Sequence, residues 1–234
     1  MRLQDWFREL GHDLWAVLWP TACMNCGAPD RDCCSRCLAV LRAPAPLRTP
    51  ELGVPCFARA SYDGPHRALL IAFKHDGRVR LAKELGAQLR GPLEAALRCV
   101  HGPAPPLLIP MPSRAARTRE RGYRHIELLI RSAQRGRPDR AVVLRGLRAR
   151  RGRRSQVGLA PRERARNARL VAVRRRARAA VRGRDVVLVD DVLTTGATLL
   201  AAQTVLERAG ARVAAMAVLC VSEHGRGDAP EILS

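Results

Sequence analysis

Two hydrophobic registers alternate along this chain. Continuous apolar runs bounded by Gly, Pro or charge predict strands buried on both faces, as in a parallel sheet. They occur at Leu107–Ile109 running into Pro110-Met111-Pro112, at Ala141–Leu144, at Val186–Val189 and at Val213–Val221. Phe57–Tyr62 predicts a shorter strand closed by Asp63-Gly64-Pro65. Between these runs, apolar residues three and four apart predict helices over 66–73, 79–89, about 120–133, and from Leu199 to the stop at Gly210. Strand, helix, strand, long loop, strand, helix, strand describes an α/β domain with a helix-covered parallel sheet.

Residues 1–20 carry Leu3, Trp6, Phe7, Leu10, Leu14, Val17 and Leu18 at helical spacing, ended by Pro20. Asp5, Glu9 and Asp13 interrupt the apolar core that a signal peptide needs, and the polar face is not rich in Lys or Arg. The expectation is an amphipathic helix docked on the protein's own body. No run reaches the roughly 18 to 20 apolar residues of a membrane span, so no stable membrane insertion is expected. The Pro-rich stretch 43–55 predicts a linker. Residues 1–50 then form a small N-terminal module, and 51–234 the α/β domain.

Charge changes the picture in one place. The net charge is +21, and residues 145–184 hold sixteen Arg against one acid, Glu163. So dense a cluster implies a polyanionic partner, pyrophosphate or nucleic acid. Only Lys74 and Lys83 represent lysine, which points to a compositional Arg bias as a contributor. Lys74, on the turn Lys74-His75-Asp76-Gly77, is a candidate anion ligand. His66, His75 and His101 share no metal-like spacing.

The candidate chemistry lies in two motifs. In the first, the apolar run Val186–Val189 leads straight into Asp190 and Asp191, then into Thr194-Thr195-Gly196-Ala197-Thr198 and a helix. Ligands of open α/β sheets bind beyond the carboxyl ends of strands. The helix N-terminus gathers unsatisfied N–H groups, three threonine hydroxyls and the positive end of a dipole, which suits a phosphate. Gly196 lets the backbone approach it. The two carboxylates would repel a phosphate but accept hydrogen bonds from vicinal hydroxyls, so a sugar phosphate fits both halves. The loop is neither a Walker loop nor a dinucleotide fingerprint.

The second motif is Cys23-x2-Cys26, seven residues, then Cys34-x2-Cys37. Doubled C-x2-C spacing predicts a tetrahedral four-thiolate Zn²⁺ site. Cys33 could replace Cys34 as a ligand. A redox pair lacks the strand-then-helix setting, and a disulfide framework lacks a secretion signal. Cys56, Cys99 and Cys220 sit in apolar surroundings as core thiols.

Val189-Asp190-Asp191-Val192-Leu193-Thr194-Thr195-Gly196-Ala197-Thr198 resembles the motif for 5-phosphoribosyl-1-pyrophosphate (PRPP) of type I phosphoribosyltransferases. The resemblance implies that Asp190 and Asp191 hold the ribose 2′- and 3′-hydroxyls and that Thr194–Thr198 holds the 5′-phosphate. It implies a pyrophosphate loop at Met111, Pro112, Ser113 and Arg114. It also implies a mobile lid over 145 to about 180, with Arg150, Arg151, Arg153 and Arg154 as its candidate charges. Mg²⁺ would accompany PRPP. Purine-salvage members carry an acid in the phosphate loop where this chain has Thr194, so no general base is assigned. About thirteen residues follow the last strand, little for a base-reading hood, and residues 57–100 are expected to take that part.

With the cysteine module, the chain is similar over nearly its whole length to the ComF family. It shares Tyr62-Asp63-Gly64-Pro65, Phe73-Lys74-His75-Asp76-Gly77, Arg119-Glu120-Arg121-Gly122-Tyr123, Gln156-x-Gly158-Leu159 and Arg164-x-Arg166-Asn167 in order. Arg124-His125 replaces the Asn-Gln that the family usually carries. The resemblance implies a cytoplasmic protein linked to single-stranded DNA and the DNA-uptake machinery of natural competence. Two readings stand: a phosphoribosyltransferase of unknown acceptor, and a non-catalytic PRPP- or nucleotide-sensing accessory protein that binds DNA.

Overall fold

The structure, a computed structural model, describes residues 22–29, 31–113, 115–136, 141–149 and 171–222. The amphipathic helix expected at 1–20, and the residues Arg114, Arg150, Arg151, Arg153 and Arg154, lie outside the described residues. The chain divides into two compact units. One comprises the described residues up to Pro44 together with Asp63–Leu81, the other Ala45–Tyr62 and the described residues from Ala82 onward.

The first unit holds the cysteine knuckles, helix α1 (Ser35–Arg42) and, after the excursion of the chain through β1 (Cys56–Ser61) of the second unit, helix α2 (Gly64–His75). Pro65 at the start of α2 suits a position whose N–H has no intrahelical acceptor. A 3-10 turn, Val79–Leu81, follows, and Arg78 bonds Asp32 at 2.9 Å within the unit. Lys74 lies in the last turn of α2.

The second unit is built on a five-stranded sheet. Its elements are β1, α3 (Ala82–Arg98), β2 (Leu107–Pro110), α4 (Ala115–Arg121), α5 (His125–Ala133), β3 (Val142–Val143), β4 (Leu147–Ala149), β5 (Val171–Val173), a 3-10 turn (Arg175–Ala177), α6 (Arg178–Val181), β6 (Asp185–Leu193), α7 (Ala197–Glu207) and β7 (Arg212–Val221). The strand order is β1-β7-β6-β2-β3, and every pair in it is parallel. Val186–Val189 of β6 and Ala215–Cys220 of β7 are completely buried, the mark of a sheet covered on both faces. Close helix packing requires Gly86, where an added Cβ would stand 2.3 Å from Ser132 Cβ of α5.

Three differences from the sequence reading matter. The segment expected as one helix over 120–133 is two, α4 and α5, separated at Gly122 (φ +78°) and the extended Arg124. The long insert after β3 is not structureless at its two ends, because β4 and β5 pair antiparallel, Leu147 opposite Val173. The motif strand does not end at the acids. It continues through both to Leu193, with β7 alongside to Val221.

Topology locates the crevice. From β2 the chain moves through α4 and α5 to β3 on one side, whereas from β6 it moves through α7 to β7 on the other. The boundary between β2 and β6 is therefore the topological switch point, where the loops leaving neighbouring strands diverge and ligands bind.

Candidate functional site

At that boundary the β2–β6 ladder stops at Pro110 opposite Val189, with a last bond from Met111 N–H to Val189 O at 2.9 Å. The next two residues of β6 are Asp190 and Asp191. They are held on the β7 side, where Asp190 pairs Val218, but have lost β2 on the other. Asp190 is half-buried, and its Oδ1 accepts the Asp191 N–H at 2.9 Å. Asp191 is only 5% exposed.

Beyond Leu193 the chain turns into α7 through Thr194 and Thr195, both exposed. Gly196 is its N-cap in the left-handed region (φ +71°), and no side chain caps the helix there. A Cβ on Gly196 would stand 2.2 Å from Leu52 Cδ2, so both conformation and space demand glycine. Ala197 and Thr198 form the first turn, which carries no acid to offset the dipole. A helix of eleven residues opening on an uncapped N-terminus favours an anion there.

A buried relay that the sequence reading did not find joins β6 to α5 and to the loop after β2. His125 Nε2 is 2.6 Å from Asp191 Oδ2. Its Nδ1 is 2.7 Å from Arg121 Nη1 and 3.3 Å from Ser113 Oγ. Of the pyrophosphate-loop candidates, Met111 is buried and Pro112 and Ser113 are half-buried, so the relay brings Ser113 to the neighbourhood of Asp191. Burial pulls the Arg121 guanidinium below its ordinary value, while Tyr123 and Asp191 oppose the shift. The available signal was the position of His125 in the helix after Gly122, but only the break between α4 and α5 shows that its ring reaches the acid.

Beside this lies a second cluster. Arg145 donates from Nε and Nη2 to Glu127 Oε2 at 2.9 and 2.7 Å, and Arg124 Nε stands 3.7 Å from Glu127 Oε1. Arg174 donates Nε–H to Leu147 O at 2.9 Å. Burial and the positive charges of Arg176, Arg124, Arg148 and Arg145 hold Arg174 below its usual value. Glu127 is the acid that Arg145 and Arg124 share.

In the first unit, the sulfurs of Cys23, Cys26, Cys34 and Cys37 all lie within 4.8 Å of one another. A tetrahedral site with metal–sulfur bonds of ~2.3 Å separates its sulfurs by roughly 3.8 Å, so the four positions could hold a metal ion. The knuckle is shaped for it. Gly27, at φ +73°, returns its N–H to Cys23 O at 2.8 Å, and Cys34 N–H points at Cys23 Sγ at 3.4 Å. Burial alone would raise the Cys23 thiol, but the Cys34, Cys26 and Asn25 N–H groups outweigh it and bring it down to about 6. At Cys37 the Asn25 amide favours the thiolate, yet burial and the neighbouring sulfurs push it up to about 12. Four thiols this close cannot all ionise without a cation between them. Cys33 is buried, with its Sγ 3.9 Å from Cys34 O.

Fold and site together define an α/β scaffold whose parallel sheet carries paired carboxylates and an uncapped helix N-terminus at its switch point. Residues 124–231 match the family model described as the phosphoribosyl transferase domain. Over 47 residues the chain is 54% identical to an adenine phosphoribosyltransferase of Corynebacterium kroppenstedtii, a stretch that covers 20% of this chain and 26% of that protein. The chain thus spans about a quarter of the curated relative's length. No helix among the described residues is long and apolar enough to cross a membrane.

Proposed function

We propose that this chain binds PRPP at the β2–β6 switch point and acts as a phosphoribosyltransferase-like protein of the ComF type. The observation that carries the reading is the pairing of two carboxylates with an uncapped, glycine-opened helix N-terminus where the β2 ladder ends. Thr194, Thr195, Gly196, Ala197 and Thr198 bind the 5′-phosphate through N–H and hydroxyl groups. Asp190 and Asp191 accept hydrogen bonds from the ribose 2′- and 3′-hydroxyls. Met111–Ser113 together with Arg114 cradles the pyrophosphate, and the arginines of the 145–184 stretch offset its charge as it departs from C1′. Mg²⁺, bound with the ligand, neutralises pyrophosphate charge, and no residue of this chain is assigned as its ligand. No side chain of the phosphate loop can take a proton from an acceptor, since Thr194 stands there.

Zn²⁺ on Cys23, Cys26, Cys34 and Cys37 holds the N-terminal module together and leaves no open position for chemistry. The cytoplasm is the compartment that keeps such thiols reduced. The ComF motifs support a role beside the DNA-uptake machinery. Labelled pyrophosphate exchange into PRPP, run with a panel of candidate acceptors, tests turnover. Exchange above background supports the enzyme.

A second reading, a PRPP-sensing accessory protein that binds single-stranded DNA, draws on the mutually repelling arginines about Arg174. Binding of DNA by the same preparation, with no exchange, favours it.

A further inference from the structure

The relay Arg121–His125–Asp191 has a direction. A guanidinium can only donate, so Arg121 at 2.7 Å makes His125 Nδ1 an acceptor. The ring proton then resides on Nε2, which meets Asp191 Oδ2 at 2.6 Å as an ion-pair contact, out of line for a hydrogen bond. Ser113 Oγ, 3.3 Å from Nδ1, is placed to donate to the same lone pair. Both members of the inner pair are buried, His125 at 7% and Asp191 at 5% exposure. A buried carboxylate needs a polar neighbour to stay ionised, and a fixed one to hold its orientation.

From this geometry we infer that His125 is a positioning residue: it holds Asp191 as an oriented carboxylate for the sugar hydroxyls, with its own tautomer set by Arg121. The inference rests on the sugar-phosphate reading of the site given above.

The test uses the purified full-length chain and two probes, ribose-5-phosphate and inorganic phosphate, titrated separately. Phosphate reports the helix N-terminus alone, whereas ribose-5-phosphate engages the acids as well. His125→Ala is expected to weaken ribose-5-phosphate on the order of tenfold, the scale of a lost hydrogen bond to a charged group, and to leave phosphate within about twofold. His125→Gln restores an N–H donor and is expected to recover most of the loss. If His125→Ala does not fold, Arg121→Met decides, because freeing Nδ1 should weaken the sugar phosphate several-fold and spare phosphate. Equal affinity for ribose-5-phosphate in wild type and the deciding variant overturns the inference. So does an equal loss for both probes, or a Gln variant as poor as Ala. No ribose-5-phosphate binding by wild type brings down the sugar-phosphate reading itself, a separate outcome.

Discussion

At the scale of single residues, glycine and carboxylate positions carry the account. Gly196 serves a left-handed N-cap against Leu52, and Gly196→Ala incurs both strain and a clash. We expect a loss of about 1–3 kcal/mol of stability, measured by urea denaturation, together with weaker phosphate binding. Asp191→Asn removes a charge-assisted acceptor worth ~1.5–3 kcal/mol, so its affinity for PRPP in Mg²⁺ should fall by about tenfold or more. Retention of wild-type affinity by calorimetry would mean that Asp191 does not touch the ligand. The paired acids and the Thr/Gly loop were legible in the sequence because their order along the chain is contiguous. His125 was not, since its partner lies on a strand far along the chain and the contact exists only once Gly122 divides the helix.

Elements explain which expectations held. The strands at 107–110 and 213–221 were readable because runs buried on both faces leave no polar alternation to confuse them, whereas the half-buried strand read at 57–62 was marked by its closing Asp63-Gly64-Pro65. The three-residue strands β4 and β5 lie in arginine-rich sequence and have no periodicity to show, so their pairing arises from tertiary context. One ion pair ties the starts of two strands. Arg212 at the head of β7 bonds Asp185 at the head of β6 at 2.6 and 2.5 Å, and Gly102 N–H adds a bond at 2.8 Å. The Arg212 bonds, working against burial and helped by Gly102, hold the Asp185 carboxyl below its ordinary value. A folded-state value below the unfolded one means stability that is present above about pH 4 and lost as pH falls through the folded value. Asp185→Asn should therefore destabilise the fold near neutrality, by an amount that solvent screening of the exposed Arg212 keeps modest, and the difference from wild type should shrink in acid. A gap that stays constant from pH 7 to pH 2.5 in denaturant melts would show that the charge is not the source.

For the whole molecule, the chain forms two compact units, and the first is discontinuous, taking in Asp63–Leu81 from beyond β1. That excursion leaves no trace in composition, because Asp63-Gly64-Pro65 reads as an ordinary turn. Purified protein should carry one Zn²⁺ per chain. The Cys23→Ser/Cys37→Ser double variant should lose it by metal analysis, and zinc retained undiminished would remove Cys23 and Cys37 as ligands. The charge of 145–184 also acts at this scale. Aromatic side chains are absent from that stretch, so nucleic acid would be held by its phosphates with a steep salt dependence. Neutralising Arg150, Arg151, Arg153 and Arg154 together should flatten the salt slope and weaken PRPP more than ribose-5-phosphate. A quadruple variant indistinguishable from wild type for DNA and PRPP across the salt series would reduce the stretch to solvated surface. The β2–β6 crevice, where the paired acids meet the opening of α7, is the proposed PRPP site. The direct measurement is calorimetric titration of PRPP with Mg²⁺ into the wild-type chain and an Asp190→Asn/Asp191→Asn variant. Saturable binding by wild type that the double variant loses is the predicted result, and no binding by wild type at millimolar PRPP would contradict it.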